Sequence, residues 1–211
     1  MDNECLVLGA GPGGYAAAFR AADLGMKVTL VERYETLGGV CLNVGCIPSK
    51  ALLHVAELIN GHKDYAQFGL ECPAPTVNKK KLLDFKSKLV QQLTGGLSYL
   101  AKKRRVDVKH AVARFVAPDA VELIDSSGKT TRQQFKQCII ATGSRPIKLG
   151  FLPDDPRIID STGALTLPKT NGKLLIIGGG IIGCEMATVY QALGMQVTIC
   201  EMLPQIMPGA D

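Results

Sequence analysis

No apolar run in the sequence approaches the roughly 18 residues that a membrane span requires. The nearest, residues 174–183, is interrupted by Gly178, Gly179, Gly180 and Gly183. No secretory leader is expected from the first residues. The apolar stretch near Met1 is short, follows Asp2 and Glu4, and runs straight into a glycine motif. An arginine-rich transit segment is lacking too, so a cytoplasmic setting is the expectation. Neither sign of charge dominates: 24 Lys and Arg against 19 Asp and Glu give a net charge of +5. Aromatics make up 5%. The two basic clusters, Lys79-Lys80-Lys81 and Lys102-Lys103-Arg104-Arg105, contain none. A nucleic-acid surface interleaves aromatics with its charges, so these clusters read as solvated helix faces. What remains is a globular composition, 46% hydrophobic and 20% charged, in 211 residues with 23 glycines. That suits one large domain or two small ones around an ample core.

Seven cysteines, an odd number without a secretory signal, argue against a structural disulfide framework. Cys5, Cys138 and Cys200 sit in strand-like apolar runs and read as small core residues. Cys184 opens a helix, and Cys72 precedes a Pro-Ala-Pro turn without an evident task. His54 and His110 read as packing or surface residues.

The chain contains one unit twice. Residues 5–32 align with residues 174–201 at an offset of 174 − 5 = 169. Identical pairs begin at Leu6, Gly9, Gly11, Gly14, Ala18, Leu24, Gly25, Met26, Val28, Thr29 and Glu32, eleven of 28 positions. Each copy reads as a strand buried on both faces, a glycine turn, a helix stopped by Leu-Gly-Met, and a second strand. Gly25 and Gly194 occupy the place of a helix C-terminal glycine. These are βαβ units with a parallel sheet. Gly9, Gly11 and Gly14, and again Gly178, Gly180 and Gly183, follow G-x-G-x-x-G. The first glycine permits the turn, the second lets a pyrophosphate approach, and the third lets helix and strand pack. An acid follows the first glycine by 23 residues in both copies (32 − 9 and 201 − 178). Glu32 and Glu201 thus suit an adenosine ribose, and a carboxylate at Glu201 favours NAD over NADP. Two dinucleotide sites in one chain suggest electron relay between FAD and NAD.

Directly after the first unit comes Gly38-Gly39-Val40-Cys41-Leu42-Asn43-Val44-Gly45-Cys46-Ile47-Pro48-Ser49-Lys50. Cys41 and Cys46 are five apart. Pro48 disturbs the helix that Ala51-Leu52-Leu53 continues, which permits disulfide approach. A helix N-terminus also favours a thiolate. A redox disulfide is the preferred interpretation. A zinc site lacks a second ligand pair, an iron–sulfur site lacks a third nearby cysteine, and two inert thiols remain the bland alternative.

Residues 38–50 resemble the signature of the class I pyridine nucleotide–disulfide oxidoreductases. C-L-N-V-G-C-I-P-S-K is most similar to the dihydrolipoamide dehydrogenases, the flavoproteins of the 2-oxoacid dehydrogenase complexes. Ala141-Thr142-Gly143-Ser144-Arg145-Pro146 resembles that family's crossing between its two dinucleotide domains. The resemblance implies an α/β, FAD/NAD(P)-binding Rossmann-like, three-layer ββα fold with two dinucleotide-binding domains. Residues 1–145 would be the FAD-binding domain and 146–211 the start of the NAD-binding domain. It implies oxidation of dihydrolipoamide, carried on an acyltransferase subunit, with hydride passed to NAD+. The family is homodimeric, and no nucleic acid or membrane partner is expected.

By the same resemblance Cys41 exchanges with substrate and Cys46 lies against the flavin. Lys50 approaches the flavin and pairs with Glu185. FAD would meet Gly9, Gly11, Pro12, Gly13, Gly14, Glu32, Arg33, Gly38, Gly39, Val40, Cys41, Lys50, Ala141, Thr142 and Gly143. A main-chain contact would come from Ala113, where the family has glycine. NAD would meet Gly178, Gly179, Gly180, Ile181, Ile182 and Glu201. No metal site is expected. The family's chain is longer, with further strands of both domains and a dimerisation domain bearing a His-Glu pair. Both domains are therefore expected to be incomplete and the chain inactive alone, with apolar faces exposed. The alternatives are a non-catalytic dinucleotide-binding fragment, a mercuric reductase or a soluble transhydrogenase.

Residues 79–100 place Leu82, Phe85, Leu89, Leu93, Leu97 and Leu100 at helical steps, an amphipathic helix with lysines outside. Ser126 to Lys129 mark a turn between residues 121–124 and 130–140, the start of a small antiparallel layer.

Overall fold

In the computed structural model, residues 3–71 and 73–208 are described, so Cys72 lies outside them. Contacts divide the chain into two interleaved units, Met1–Val44 with Val90–Arg145, and Gly45–Leu89 with Pro146–Asp211.

The first unit is built on four parallel strands in the order β3-β2-β1-β7. They are β1 (Cys5–Leu8), β2 (Val28–Glu32), β3 (Asp107–His110) and β7 (Gln137–Ile140). Every residue of β1 and β2 is buried, as continuous apolar runs require of central strands. Helix α1 (Pro12–Asp23) crosses from β1 to β2. Pro12 at its start has no N–H to leave unpaired, and Gly25 takes a left-handed turn just past its end. Its buried face is Gly14, Ala18, Phe19 and Ala21, small enough for close approach to the sheet.

An antiparallel layer covers another part of the sheet: β4 (Val112–Ala117), β5 (Ala120–Ile124) and β6 (Thr130–Gln134). Val121, Leu123 and Phe135 pack against Leu6, Leu8 and Val31. The β5–β6 turn is held by Asp125, whose Oδ1 accepts the backbone N–H of Ser127 at 2.9 Å and of Lys129 at 3.0 Å. Two further helices are α2 (Gly39–Val44) and α4 (Lys79–Lys103). Within residues 90–103, Thr94, Leu97 and Ala101 are buried. Arg104 then caps α1's far end, 2.9 Å from Asp23 and over the Phe19 ring.

The second unit gathers α3 (Cys46–Gly61), residues 79–89 of α4, α5 (Ser161–Ala164), β8 (Lys173–Ile177), α6 (Ile181–Ala192) and β9 (Gln196–Cys200). β8 and β9 pair in parallel. The core is Leu52, Leu82, Leu165, Leu167, Met186, Val189, Tyr190 and Met195. The Tyr190 hydroxyl donates to the Ala164 carbonyl at 2.7 Å, and burial pushes its pKa up to about 12. The helical run Gly39–Phe68 is apolar and long enough to cross a membrane by composition. It breaks at Gly45, and α3 buries one face, with Ala51, Leu52 and Ala56 covered.

Three expectations need correction. First, β8 is not buried on both faces: Leu175 is 61% and Ile177 49% exposed. Leu174 and Ile176 turn towards the core, and no described element packs on the opposite face. Second, Cys200 is exposed rather than in the core, because it ends that same two-stranded sheet. Third, Phe85 and Leu93 of α4 are exposed, whereas Lys86 is half-buried and donates to the Leu165 carbonyl at 2.6 Å. Desolvation lowers the Lys86 pKa.

Leu30 is fully buried at the centre of the parallel sheet. Leu30→Ala should therefore cost about 2–5 kcal/mol, read as a lower urea midpoint at unchanged slope.

Candidate functional site

The first glycine turn joins β1 to α1 under a tight steric constraint. Gly9 has φ +96°, and a side chain there would meet the Ala141 carbonyl oxygen at 2.3 Å. A Cβ on Gly14 would lie 1.7 Å from the Gly9 carbonyl oxygen. Only glycine at both positions lets α1 press this closely on the strand. The second copy repeats the contact, with a Cβ on Gly183 lying 2.0 Å from the Gly178 carbonyl oxygen. The middle glycines differ in kind. A Cβ on Gly11 would meet only Gly39 Cα at 3.8 Å, and one on Gly180 nothing within 4 Å. Both precede their helices with almost identical backbone, φ −70°, ψ −178° and φ −71°, ψ −179°. Neither helix has a side-chain cap, so first-turn N–H groups stay available beside open space. That opening fits a pyrophosphate, which the N–H groups and the helix dipole would hold.

Each acid after the second strand braces its own turn. Glu32 is buried; its Oε2 accepts the Ala10 N–H at 2.8 Å and its Oε1 the Tyr34 N–H at 3.1 Å. Glu201 does the same with Gly179 at 2.5 Å and Leu203 at 2.8 Å. The N–H bonds from Leu203 and Gly179 hold the Glu201 carboxyl below the usual glutamate range. Each carboxylate oxygen retains a lone pair, so a ribose hydroxyl still has an acceptor there. The loop beyond the strand also clasps each turn: Gly38 N–H donates to Ala10 at 2.8 Å, and Met207 N–H to Gly179 at 2.7 Å.

Next to the first turn, Gly39 has φ +58°, and a Cβ on it would meet Gly11 Cα at 2.6 Å. Thus α2 begins against the glycine loop. Val40 is exposed at its second position and Cys41, half-buried, is its third residue. Arg33 lies over the Tyr34 ring, 4.8 Å from its centroid. The Ala141 N–H donates to Leu8 at 2.8 Å, which sets residues 141–143 beside the same turn. Ala113 pairs with Leu123 in the antiparallel layer. His54 and His110 are exposed; His110 Nδ1 lies 2.7 Å from the Tyr34 carbonyl.

In the second unit Cys46 is exposed at the start of α3, where Gly45 supplies no side-chain cap. One turn on, Lys50 pairs with Glu185 Oε1. Glu185 lies on α6, the helix that begins at the second glycine turn. Its other oxygen accepts the Ser49 hydroxyl at 2.5 Å. Burial pushes the Glu185 pKa up, but the bonds from Lys50 and Ser49 and the Lys50 charge outweigh it and leave the carboxyl below its usual range. Ser49 was not a site candidate in the sequence. Its position beside Lys50 was the one available signal. Ile181 and Ile182, in the first turn of α6, are exposed.

Residues 3–211 match the family model described as pyridine nucleotide-disulphide oxidoreductase. The curated relatives include dihydrolipoyl dehydrogenases from Vibrio cholerae (53% identical over 99% of this chain), Haemophilus influenzae (52% over 100%) and Staphylococcus aureus (45% over 100%). The chain spans 44–45% of the length of these relatives. Among solved structures it is similar to a Cu(II) complex of the HOCl-induced flavoprotein disulfide reductase RclA, a cysteine mutant, from Escherichia coli. The TM-score is 0.84 at 27% identity, covering 100% of this chain and 45% of that one.

Two outcomes test the turns. Gly14→Ala forces backbone atoms apart and should abolish dinucleotide retention, measured by equilibrium dialysis. The depressed Glu201 pKa makes a pH-dependent contribution to stability. That contribution is present above the unfolded glutamate value and is lost as pH falls through the lower folded value. Glu201→Gln should flatten the acid limb of a Tm-against-pH curve; an unchanged limb would refute the bracing role.

Proposed function

The chain belongs to the pyridine nucleotide-disulphide oxidoreductases, a family of enzymes, and from that premise we propose that it is the N-terminal part of a dihydrolipoyl dehydrogenase. Residues 1–145 are taken as the FAD-binding domain and 146–211 as the start of the NAD-binding domain, in a cytoplasmic enzyme. The substrate is dihydrolipoamide on an acyltransferase subunit of a 2-oxoacid dehydrogenase complex, and the working form is a homodimer. Support comes from relatives of that name at 45–53% identity. The observation that carries most weight is structural. Lys50, one turn beyond Cys46, is met by Glu185 from the helix of the second glycine turn.

The chain's residues divide the work. A dithiol substrate exchanges with a Cys41–Cys46 disulfide: its two thiols become a disulfide, the Cys41–Cys46 bond breaks, and two electrons rest on the cysteine pair. Cys41 makes the exchange. Cys46 sits at a helix start whose preceding residue, Gly45, offers no side-chain cap, so it is open to the second half of the exchange. When bound, FAD supplies a two-electron acceptor and NAD+ the final hydride acceptor. Gly11 and Gly180 leave room for the two pyrophosphates, which the first-turn N–H groups of α1 and α6 would hold. Glu32 and Glu201 fix the two turns and offer ribose acceptors. Lys50, kept in place by Glu185, would supply a positive charge to a bound flavin.

The test is a visible spectrum of the chain with added FAD, before and after one equivalent of dithionite. Reduction should raise a long-wavelength charge-transfer band. Cys46→Ser should lack it, whereas Cys41→Ser should show it without reductant. Equal bands in the two variants would refute the cysteine roles, and a chain that takes up no FAD would leave dinucleotide binding to a longer protein.

A further inference from the structure

Glu185 has two partners of very different character. Lys50 reaches it along a flexible four-carbon stem, and its side chain is 63% exposed. An ion pair of that kind gains little, because water screens it and holding the long stem in one rotamer costs entropy. Ser49 is the opposite: 5% exposed, with one side-chain torsion to fix, and seated in the first turns of α3. Its backbone is anchored as well, the Ser49 N–H donating to the Gly45 carbonyl at 3.0 Å. Its hydroxyl donates to Glu185 Oε2 at 2.5 Å, a charge-assisted bond of the stronger class. The two carboxylate oxygens are thereby shared out, Oε2 to the buried serine and Oε1 to the exposed lysine.

We infer that Ser49 is a positioning residue: its buried hydroxyl fixes the Glu185 carboxylate in one orientation, so that the remaining oxygen faces Lys50. The direction of control is from serine to glutamate to lysine. Lys50 follows the carboxylate and does not set it. That this arrangement serves a flavin rests on the function proposed above; the orientation of Glu185 does not.

The experiment uses the full chain carrying 13C at the glutamate carboxyl and side-chain carbons, with the Glu185 signal identified by its loss in Glu185→Gln. In the wild type, Glu185 should be ordered and should titrate below the usual glutamate range. Ser49→Ala should raise the midpoint and drop the side-chain order parameter below about 0.6. Ser49→Thr, which keeps the hydroxyl, should restore both. Lys50→Met, a change at an exposed side chain, should leave Glu185 ordered. An ordered Glu185 in Ser49→Ala, or a disordered one in Lys50→Met, overturns the proposal; the second result decides even where Ser49→Ala fails to fold. Flavin uptake by the wild type is measured separately. Its failure would count against the function and not against the serine.

Discussion

The closeness of helix to strand at the glycine turn governs everything around it. At Gly14 the backbone of α1 comes so near the Gly9 carbonyl that no side chain fits. That contact sets the helix direction, hence where its free N–H groups aim, hence where a phosphate is able to sit. A turn under such constraint needs holding from outside. Glu32 supplies this from the end of β2, tying Ala10 to Tyr34 through one carboxylate. The same solution recurs at Gly183, Gly178 and Glu201. The two turns share their backbone and differ in what they show: Pro12 and Gly13 in one, exposed Ile181 and Ile182 in the other.

The acids carry a lesson about reading motifs. Their spacing after the glycines points to a ribose. The structure adds that each already serves the protein, with both oxygens bound to backbone N–H groups. A residue that braces the loop it later helps to recognise is doubly constrained, since a ligand-free chain needs it as well. The lowered pKa of Glu201 follows from these N–H bonds and not from a nearby cation.

Much of this was legible in the sequence because it is local. Strand, glycine turn, helix and acid lie within 28 residues, and their periodicities and turn chemistry declare themselves twice. What was illegible depends on partners distant in the chain. The Leu174 to Ile177 run looks like a central strand, yet burial is decided by what packs on each face, and only one face is covered. The exposure of Cys200 follows from the same fact. The lysine stripe of α4 reads as uniformly wet, but Lys86 finds a carbonyl at Leu165, 79 residues away. Ser49 is plainest: its partner is 136 residues further on, and only its place beside Lys50 hints at the bond.

The interleaving of the two units has a consequence for synthesis. Residues 45–89 pack with residues beyond 146, while the chain between them, from 90 to 145, completes the other unit. On a ribosome the first unit closes once residue 145 has emerged. Until then Leu52 and Leu82 are outside the ribosome, but their core partners Leu167, Met186, Val189 and Tyr190 have not emerged. A helix with an apolar face must therefore wait while residues 90–145 complete the neighbouring unit. Over that interval its uncovered apolar face is a surface of the kind chaperones hold.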